Sequence, residues 1–396
     1  MTRRGATTPL FFPNNRDSAA SAIRPAHQGS SMKKKYGIAL IGTGYIGKTH
    51  ALAYRSVNAV FPDLPELSTE LVVDINEAAG RAFAAQFSFK NFSTDWHEAV
   101  FNPDIDIVAI ATPNHLHKDM AIEALRAGKH VYCEKPLAVT IEDSEAMAEA
   151  ARNAPGRTLV GYNYLCNPAL QLAKKMIESG RIGRPLFFRG VNDEDYMADP
   201  DTPHSWRCEK AKAGAGTLGD LATHLISLSQ FLMGDITHVS GRTYTAHTKR
   251  PVAEDPEVFR TVENDDVVSL QVEFEGGARG ELSSSRIAWG RKNRLAFEIH
   301  GEAGTILFDQ ERLNELEVYD ASEANEGQGF RKILIGPAHQ PYGAFVQSTG
   351  HQLGFNDLKV IEVRNLIEGI VGDKTCYPSF EDALKVEQVI ARALAE

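Results

Sequence analysis

Between Tyr36 and Asp74 the chain runs from an apolar stretch into a turn of spaced glycines, then into a helix-compatible segment, and reaches a second apolar stretch ending on an acid. Tyr36 to Ile41 is long enough for a buried strand. It passes directly into Gly42-Thr-Gly-Tyr-Ile-Gly47, and Lys48 to Tyr54 can continue as a helix. In such a strand-turn-helix unit the first glycine, Gly42, makes the tight reversal. Gly44 lets the backbone approach a pyrophosphate, Gly47 lets the helix pack on the strand, and Tyr45 and Ile46 open the helix whose N-terminus faces the anion. The second strand closes with Leu71-Val-Val-Asp74, after a connection lengthened by Phe61-Pro-Asp-Leu-Pro65. A carboxylate there accepts hydrogen bonds from an adenosine ribose and repels a 2′-phosphate, so Asp74 favours NAD over NADP. Spaced glycines alone also occur in ordinary turns; strand, helix and acid together make this a dinucleotide site.

A chain of 396 residues exceeds what one hydrophobic core organises, so two domains are expected. Over residues 32–160 strand-like and helix-like stretches alternate. Asp106 to Ala111 is a continuous apolar run of the kind a parallel strand shows when both faces are covered. From 161 to 396 the rhythm changes. A helix spans Asn167 to Ser179 and an apolar helix runs from Gly216 to Met233. Strands follow near 186–190, 237–248, 267–274, 278–284, 295–300, 305–308 and 316–319, and two helices close the chain. The fold class expected is therefore α/β: a doubly wound parallel sheet, then an α+β domain on a large, predominantly antiparallel open sheet. The apolar run after Arg3-Arg4 ends at Pro13, short of the roughly 7–15 residues of an export signal, and residues 1–31 read as a disordered extension or as a start site placed too early, since Met32-Lys-Lys-Lys35 would open the first strand directly.

With 42 basic against 52 acidic side chains, the formal charge of -10 leaves no footprint for nucleic acid or an anionic membrane, and no apolar run is long enough for a membrane span. Cys133, Cys166, Cys208 and Cys376 are scattered, which suggests neither disulfides nor zinc and fits a reducing cytoplasm. No metal is expected.

Three features set reactive groups where strands of the first domain end or where the second domain can meet them. Thr112-Pro-Asn-His-Leu-His117 follows one strand end. It is either a polar loop before a capped helix or a cofactor wall in which Thr112, Asn114 and His117 take part. Glu134-Lys135-Pro136 follows the next; Pro136 keeps Lys135 extended, so that its ammonium is either aimed into the cleft or is that of an ordinary solvated surface lysine. In Ala213-Gly-Ala-Gly-Thr-Leu-Gly-Asp220-Leu-Ala-Thr-His224 an acid and a histidine stand four apart, so on an unbroken helix they share a face. A carboxylate beside an imidazole fixes its tautomer and raises its basicity, as a general base requires. A buried structural pair and half of a metal site are the other readings of that spacing.

The glycine turn, Glu134-Lys135-Pro136 and the turn leading to Asp220 and His224 resemble, in this order, the Gfo/Idh/MocA oxidoreductases, and the resemblance runs from about Lys34 to the end. It implies a Rossmann domain joined to an α/β domain whose open sheet forms a homo-oligomer, a dimer or tetramer. The implied catalytic residues are Lys135, Asp220 and His224. Glu134, Lys135 and Ser205-Trp206-Arg207 would lie near NAD, and Asn163, Tyr164 and His339 would line the pocket. Ala198-Asp-Pro200, Phe297 to Gly301 and Gly336 to His339 are most similar to members acting on pyranosides. Leu165 stands where many members have Arg, and Ala215 replaces the middle of a common Gly-Gly-Gly. The implied activity is NAD-dependent oxidation of a secondary hydroxyl of a pyranose, anhydrosugar or inositol. A redox-neutral sugar enzyme with tightly held NAD and a non-catalytic NAD and sugar sensor are the alternatives.

Overall fold

A computed structural model describes residues 35–395; the extension expected over 1–31 lies outside them. Six strands, β1 (Lys35–Ile41), β2 (Glu66–Val73), β3 (Asn91–Ser93), β4 (Ile107–Ile110), β5 (His130–Cys133) and β6 (Thr158–Val160), form an all-parallel sheet in the order β3-β2-β1-β4-β5-β6. Both faces are covered. Ala39 and Ile41 of β1 pack with Met120, Ala121 and Met147, whereas Ile38 and Leu40 pack with Ala51, Phe83 and Val363 on the opposite side. That is why these strands are apolar without alternation. The chain moves outward from β1 to β3 and then returns to place β4 against the other edge of β1. This reversal opens a crevice at the carboxyl ends of β1 and β4.

The second sheet contains β7 (Pro185–Asp193), β8 (Ile236–Tyr244), β11 (Val267–Phe274), β12 (Arg279–Ser285), β13 (Arg294–Gly301), β14 (Gly304–Asp309), β15 (Glu315–Asp320) and β16 (Arg331–Leu334), ordered β16-β15-β14-β13-β7-β12-β11-β8. The β7–β12 pair is parallel and the other pairs are antiparallel. Along β11, β12 and β14 buried residues alternate with more exposed ones, so one face is core and the other open. The core face packs on the helices Ala222–Met233 and Phe380–Ala395.

The expected strand over 237–248 stops at Tyr244. The chain then builds a separate two-stranded arm from β9 (Lys249–Val252) and β10 (Asp255–Thr261). Every residue of β10 is exposed, so no hydrophobic pattern marks it; β3 and β16 are likewise short strands that the pattern did not reveal.

The helix expected over 216–233 is two helices, Thr217–Asp220 and Ala222–Met233, broken at Leu221. At the break the Leu221 carbonyl accepts from His224 N at 3.1 Å, in a tightened turn, and from Asn192 Nδ2, on β7, at 2.8 Å. The preceding turn depends on Asp265, whose carboxylate accepts from Gly216 N at 2.7 Å and Leu218 N at 2.8 Å. A Cβ at Gly216 would lie 1.9 Å from the Asp265 carbonyl oxygen, and Gly214 has φ +76°, so both glycines are required. Ala215 sits between them without a positive φ, which is why the middle position tolerates a side chain.

Candidate active site

The crevice is built first by the glycines. Gly42 has φ +103°, and a Cβ there would meet the Ala111 carbonyl oxygen at 2.5 Å, so the β1 and β4 loops approach as closely as backbone allows. At Gly44 a Cβ would touch nothing within 4 Å, which leaves the turn open toward the crevice. At Gly47 it would lie 2.2 Å from the Gly42 carbonyl oxygen. The helix Tyr45–Val60 has no side-chain cap and no acid in its first turn, so its N-terminal amides can take an anion. Asp74, at the end of β2, accepts from the Thr43 amide at 3.0 Å and from the Thr43 hydroxyl, which fixes the carboxylate beside the turn. Tyr45 is largely exposed and stacks on Phe355 with ring centroids 6.4 Å apart.

On the far side of the crevice Thr112 Oγ1 is shut off from solvent and has no hydrogen-bond partner among the described residues. Asn114 donates to the Ala213 carbonyl at 3.1 Å, tying this loop to the turn before Asp220. An open glycine turn, an uncapped helix, a ribose-side carboxylate and an orphaned buried hydroxyl form a donor set that fits NAD.

His117 does not belong to that set. Its ring is fully buried, with Nε2 3.0 Å from the Thr112 carbonyl and Nδ1 3.1 Å from that of Pro136, so it ties two loops together and cannot face a cofactor. The Glu134 side chain is also turned inward, since neighbouring residues at a strand end point to opposite sides. Its carboxylate oxygen Oε1 meets His50 Nε2 at 2.7 Å and Lys359 Nζ at 2.8 Å.

Lys135 points the other way, into the cleft. Its ammonium donates to the Asp220 carbonyl oxygen at 2.8 Å and to Asp220 Oδ1 at 2.9 Å. Asp220 Oδ2 accepts from the Tyr196 hydroxyl at 2.8 Å and lies 3.9 Å from Arg207 Nε. Burial disfavours the charged carboxylate, but Lys135, Arg207 and the hydrogen bonds outweigh it and hold Asp220 well below the usual carboxylate range. Arg207 stacks on Trp206 with its guanidinium 4.5 Å from the ring centroid. The Trp206-Arg207 segment therefore reaches the Asp220 side of the cleft.

The expected partnership of Asp220 with His224 is not made. The break at Leu221 directs Asp220 to Lys135, and no hydrogen bond joins Asp220 to the imidazole among the described residues. His224 is held by rings instead, 4.5 Å from Tyr164 and 5.7 Å from Tyr162 between centroids. Tyr162 is fixed by a 2.8 Å bond between its hydroxyl and that of Thr223. Burial, and then the Lys135 charge, push His224 well below its ordinary value of 6.5, so the imidazole is neutral and its basicity is lowered, not raised as the spacing suggests.

Sequence reasoning missed several neighbours. Glu194 continues from β7, held by Glu194 N to the Ser285 carbonyl at 2.8 Å, and its acid is pushed up to about 7 by burial and then by Asp220. Tyr196 and Glu194 lie in irregular chain with no motif around them. Asn163 is buried with Nδ2 unpartnered, and Tyr164 accepts from Asn293 Nδ2 at 2.8 Å. His339 accepts from Gly336 N at 3.1 Å in its own turn. Among the described residues no hydrogen bond or ion pair joins it to Lys135, Asp220 or His224. No group of three or more His, Cys, Asp or Glu among those residues is arranged to hold a metal.

The comparisons with known proteins agree with this geometry. Residues 36–162 match the model of the oxidoreductase family with an NAD-binding Rossmann fold, and residues 170–307 match the GFO/IDH/MocA C-terminal domain. Levoglucosan dehydrogenase of Pseudarthrobacter phenanthrenivorans is 40% identical over 88% of this chain and 93% of its own length. A solved structure of levoglucosan dehydrogenase in complex with NADH and levoglucosan superposes with a TM-score of 0.87 at 39% identity, over 91% of this chain and 96% of that one. An NAD-binding oxidoreductase from Klebsiella pneumoniae gives 0.87 at 42% identity over the same shares. With its glycine turn, its inward-facing lysine and its two characteristic sheets, the chain belongs to the Gfo/Idh/MocA family of NAD-dependent oxidoreductases.

Proposed function

We propose that this protein oxidises a secondary hydroxyl of a pyranose, an anhydrosugar or an inositol to the ketone. The observation that carries this reading is the valence of Lys135: two of its three N–H groups are held by Asp220, and the third remains for an oxygen in the cleft. NAD, when bound, supplies the hydride acceptor. Lys135 steadies the negative charge that grows on the carbinol oxygen, and Asp220 positions Lys135. His224, neutral and in the same cleft, takes the hydroxyl proton. Arg207 and Tyr196 keep Asp220 ionised, so the Lys135 ammonium stays fixed. The names of relatives support the substrate class, including scyllo-inositol 2-dehydrogenase of Bacillus subtilis, 28% identical over 73% of this chain and 78% of its own length.

Appearance of NADH absorbance with levoglucosan, glucose and inositols tests the assignment. Turnover of a sugar without added NAD and without net NADH would replace it by redox-neutral chemistry.

We further propose a domain boundary near residue 160, where β6 ends. The open face of the second sheet, studded with pairs such as Arg189–Glu281 and Arg294–Asp309, is proposed to be covered by a second copy of the chain, giving a dimer or tetramer. Sedimentation would reveal a monomer if that is wrong. Four free, buried cysteines support a reducing cytoplasmic setting.

A further inference from the structure

Past Glu134, whose amide donates to the Ile110 carbonyl at 2.9 Å, the chain leaves the first sheet. Pro136 has no N–H to give. Leu137 is fully buried, so its amide cannot reach water and must find an acceptor in the protein. It finds one 250 residues away: Leu137 N donates to Glu387 Oε1 at 3.1 Å, on the helix Phe380–Ala395. On the other side the carbonyls of Pro136 and Leu137 face His117 Nδ1 at 3.1 and 3.3 Å. The turn that carries Lys135 is therefore tied by two side chains, one on the helix that follows β4 and one on the last helix of the chain.

Glu387 is a costly acceptor. It is 7% exposed, no ion pair joins it to a cation among the described residues, and burial pushes its acid up to about 7. An apolar side chain would pack there without that cost, but it would leave Leu137 N buried and unmet. The position therefore needs an oxygen rather than a charge, and a carboxyl group accepts from an amide in either protonation state. Glu387 also stands beside the second half of the site. It interacts electrostatically with Tyr162, whose hydroxyl is 2.8 Å from that of Thr223 and whose ring is 5.7 Å from His224. The consequence falls on Lys135. A lysine stem is flexible, so the direction of the free N–H is set only when both ends are fixed. Asp220 holds the tip, by Oδ1 at 2.9 Å, and Glu387 holds the root through Leu137.

We infer that Glu387 is a positioning residue for the oxidation: by holding the Leu137 amide it fixes the root of Lys135, so that the free donor faces the carbinol oxygen. The inference rests on the dehydrogenase reading and on Lys135 as the group that meets that oxygen. A merely structural Glu387 would, when replaced, loosen binding, stability and turnover together. A positioning Glu387 affects the chemical step, and only when Lys135 is there to be positioned.

The test compares the wild type, Glu387→Gln, Glu387→Met, Lys135→Met and the double variant Glu387→Met/Lys135→Met. The sugar is whichever of levoglucosan, glucose and the inositols yields most NADH, and the readouts are kcat, KM, NADH affinity, Tm at pH 8 and hydrogen exchange at Leu137. Glu387→Met is expected to lower kcat on the order of tenfold to 10²-fold, with KM and NADH affinity within about twofold. Exchange at Leu137 should quicken about tenfold. Glu387→Gln keeps the acceptor, so kcat and exchange should stay within about twofold of the wild type, and Tm is unchanged or raised because a disfavoured buried acid is gone. On the Lys135→Met background, Glu387→Met should slow the residual turnover by less than about twofold. Unchanged exchange or unchanged kcat in Glu387→Met overturns the inference. So does a Glu387→Gln as slow as Glu387→Met, or equal slowing with and without Lys135. Where Glu387→Met does not fold, Glu387→Asp withdraws the oxygen by one methylene; it should slow kcat severalfold, and a wild-type rate overturns the inference. A wild type that forms no NADH, or a Lys135→Met as fast as the wild type, removes the reading of the site and this inference with it. A slow Lys135→Met beside a fast Glu387→Met removes this inference alone.

Discussion

Two lysines, each paired with a carboxylate, stand back to back across the end of β5, and they are used in opposite ways. Lys359 is fully buried, and its ammonium is saturated: it meets Glu134 at 2.8 Å, Glu362 at 2.7 Å and the Tyr132 hydroxyl at 3.0 Å. Lys135 is partly open to the cleft and keeps one donor in reserve after meeting Asp220 twice. The first arrangement spends every valence on position, and the second withholds one for a ligand. Glu134 and Lys135 are consecutive, so the closed cluster determines where the open one points. His50 extends the closed side, bridging Glu134 and the Tyr54 hydroxyl at 2.7 Å each, whereas His224 on the open side has aromatic neighbours.

Removing the buried cation should have the largest effect. Lys359→Met leaves Glu134 and Glu362 facing each other in the core, a change expected to destabilise by about 3–5 kcal/mol in denaturant unfolding. Adding Glu134→Gln to that variant should restore part of the loss, because the uncompensated charge is then gone. Should Lys359→Met unfold no more easily than Lys135→Met, the distinction between closed and open pairs is lost. Lys135→Met is expected to lower kcat by roughly 10²–10³, the effect of deleting a donor aimed at developing oxyanion charge. Its unfolding midpoint should fall by less than that of Lys359→Met, since Arg207 and Tyr196 still face Asp220, and its NADH affinity should stay near that of the wild type.

The contrast also explains what the sequence makes legible. Gly42 and Gly47 could be assigned from the chain alone because each answers a local backbone demand, and each proves to have its own steric reason, whereas a Cβ at Gly44 would meet only open space. Lys135, Asp220 and His224 were identifiable as a group, but not the pairing within it. Their spacing presumes an unbroken helix, and the partner that Asp220 takes instead, Lys135, is distant in sequence. His117 looked like a cleft residue because it follows a strand end; its burial depends on the Pro136 carbonyl, which no local pattern announces. Lys359 and Glu362 did leave a signal, a charged pair three apart on a helix that is otherwise largely buried. Asn293 and Tyr196 left none, since irregular chain carries no periodicity to read.

Smaller effects follow from pH. His224 is lowered by burial and then by Lys135, His50 by burial and then by Lys359, and His117 by burial, so in the folded protein all three resist protonation. Below their ordinary value of 6.5 the unfolded chain binds protons that the folded one does not, so stability falls as pH falls. Each histidine contributes up to about 1.4 kcal/mol per pH unit in that window. His224→Gln should remove one share without breaking a hydrogen bond. His50→Gln removes a share as well, but at the expense of the bonds to Glu134 and Tyr54. Urea titrations between pH 5 and pH 7 compare them; equal losses at pH 7 would show that the open and closed sides are built alike.

The smallest effect expected is on the open side alone. Glu194 interacts electrostatically with Asp220, Lys135 and Arg207, with Asp195 on its own segment, and with Tyr164. Its acid is pushed up to about 7, by burial first and Asp220 second, so it loses its proton as pH rises through neutrality. The carboxylate formed adds negative charge to the cleft where His224 becomes an imidazolium, which favours proton transfer. The rate at saturating sugar should therefore climb severalfold as pH rises through about 7, on top of a separate limb below 6.5 that belongs to His224. Glu194→Gln cannot ionise, so it should lose the step near 7, keep the lower limb, and raise urea stability at pH 8, where the folded wild type carries a carboxylate that burial and Asp220 disfavour. A variant profile that superposes on the wild type would mean that Glu194 does not influence the reacting imidazole. The reserve of the open side would then lie in the free donor of Lys135 alone.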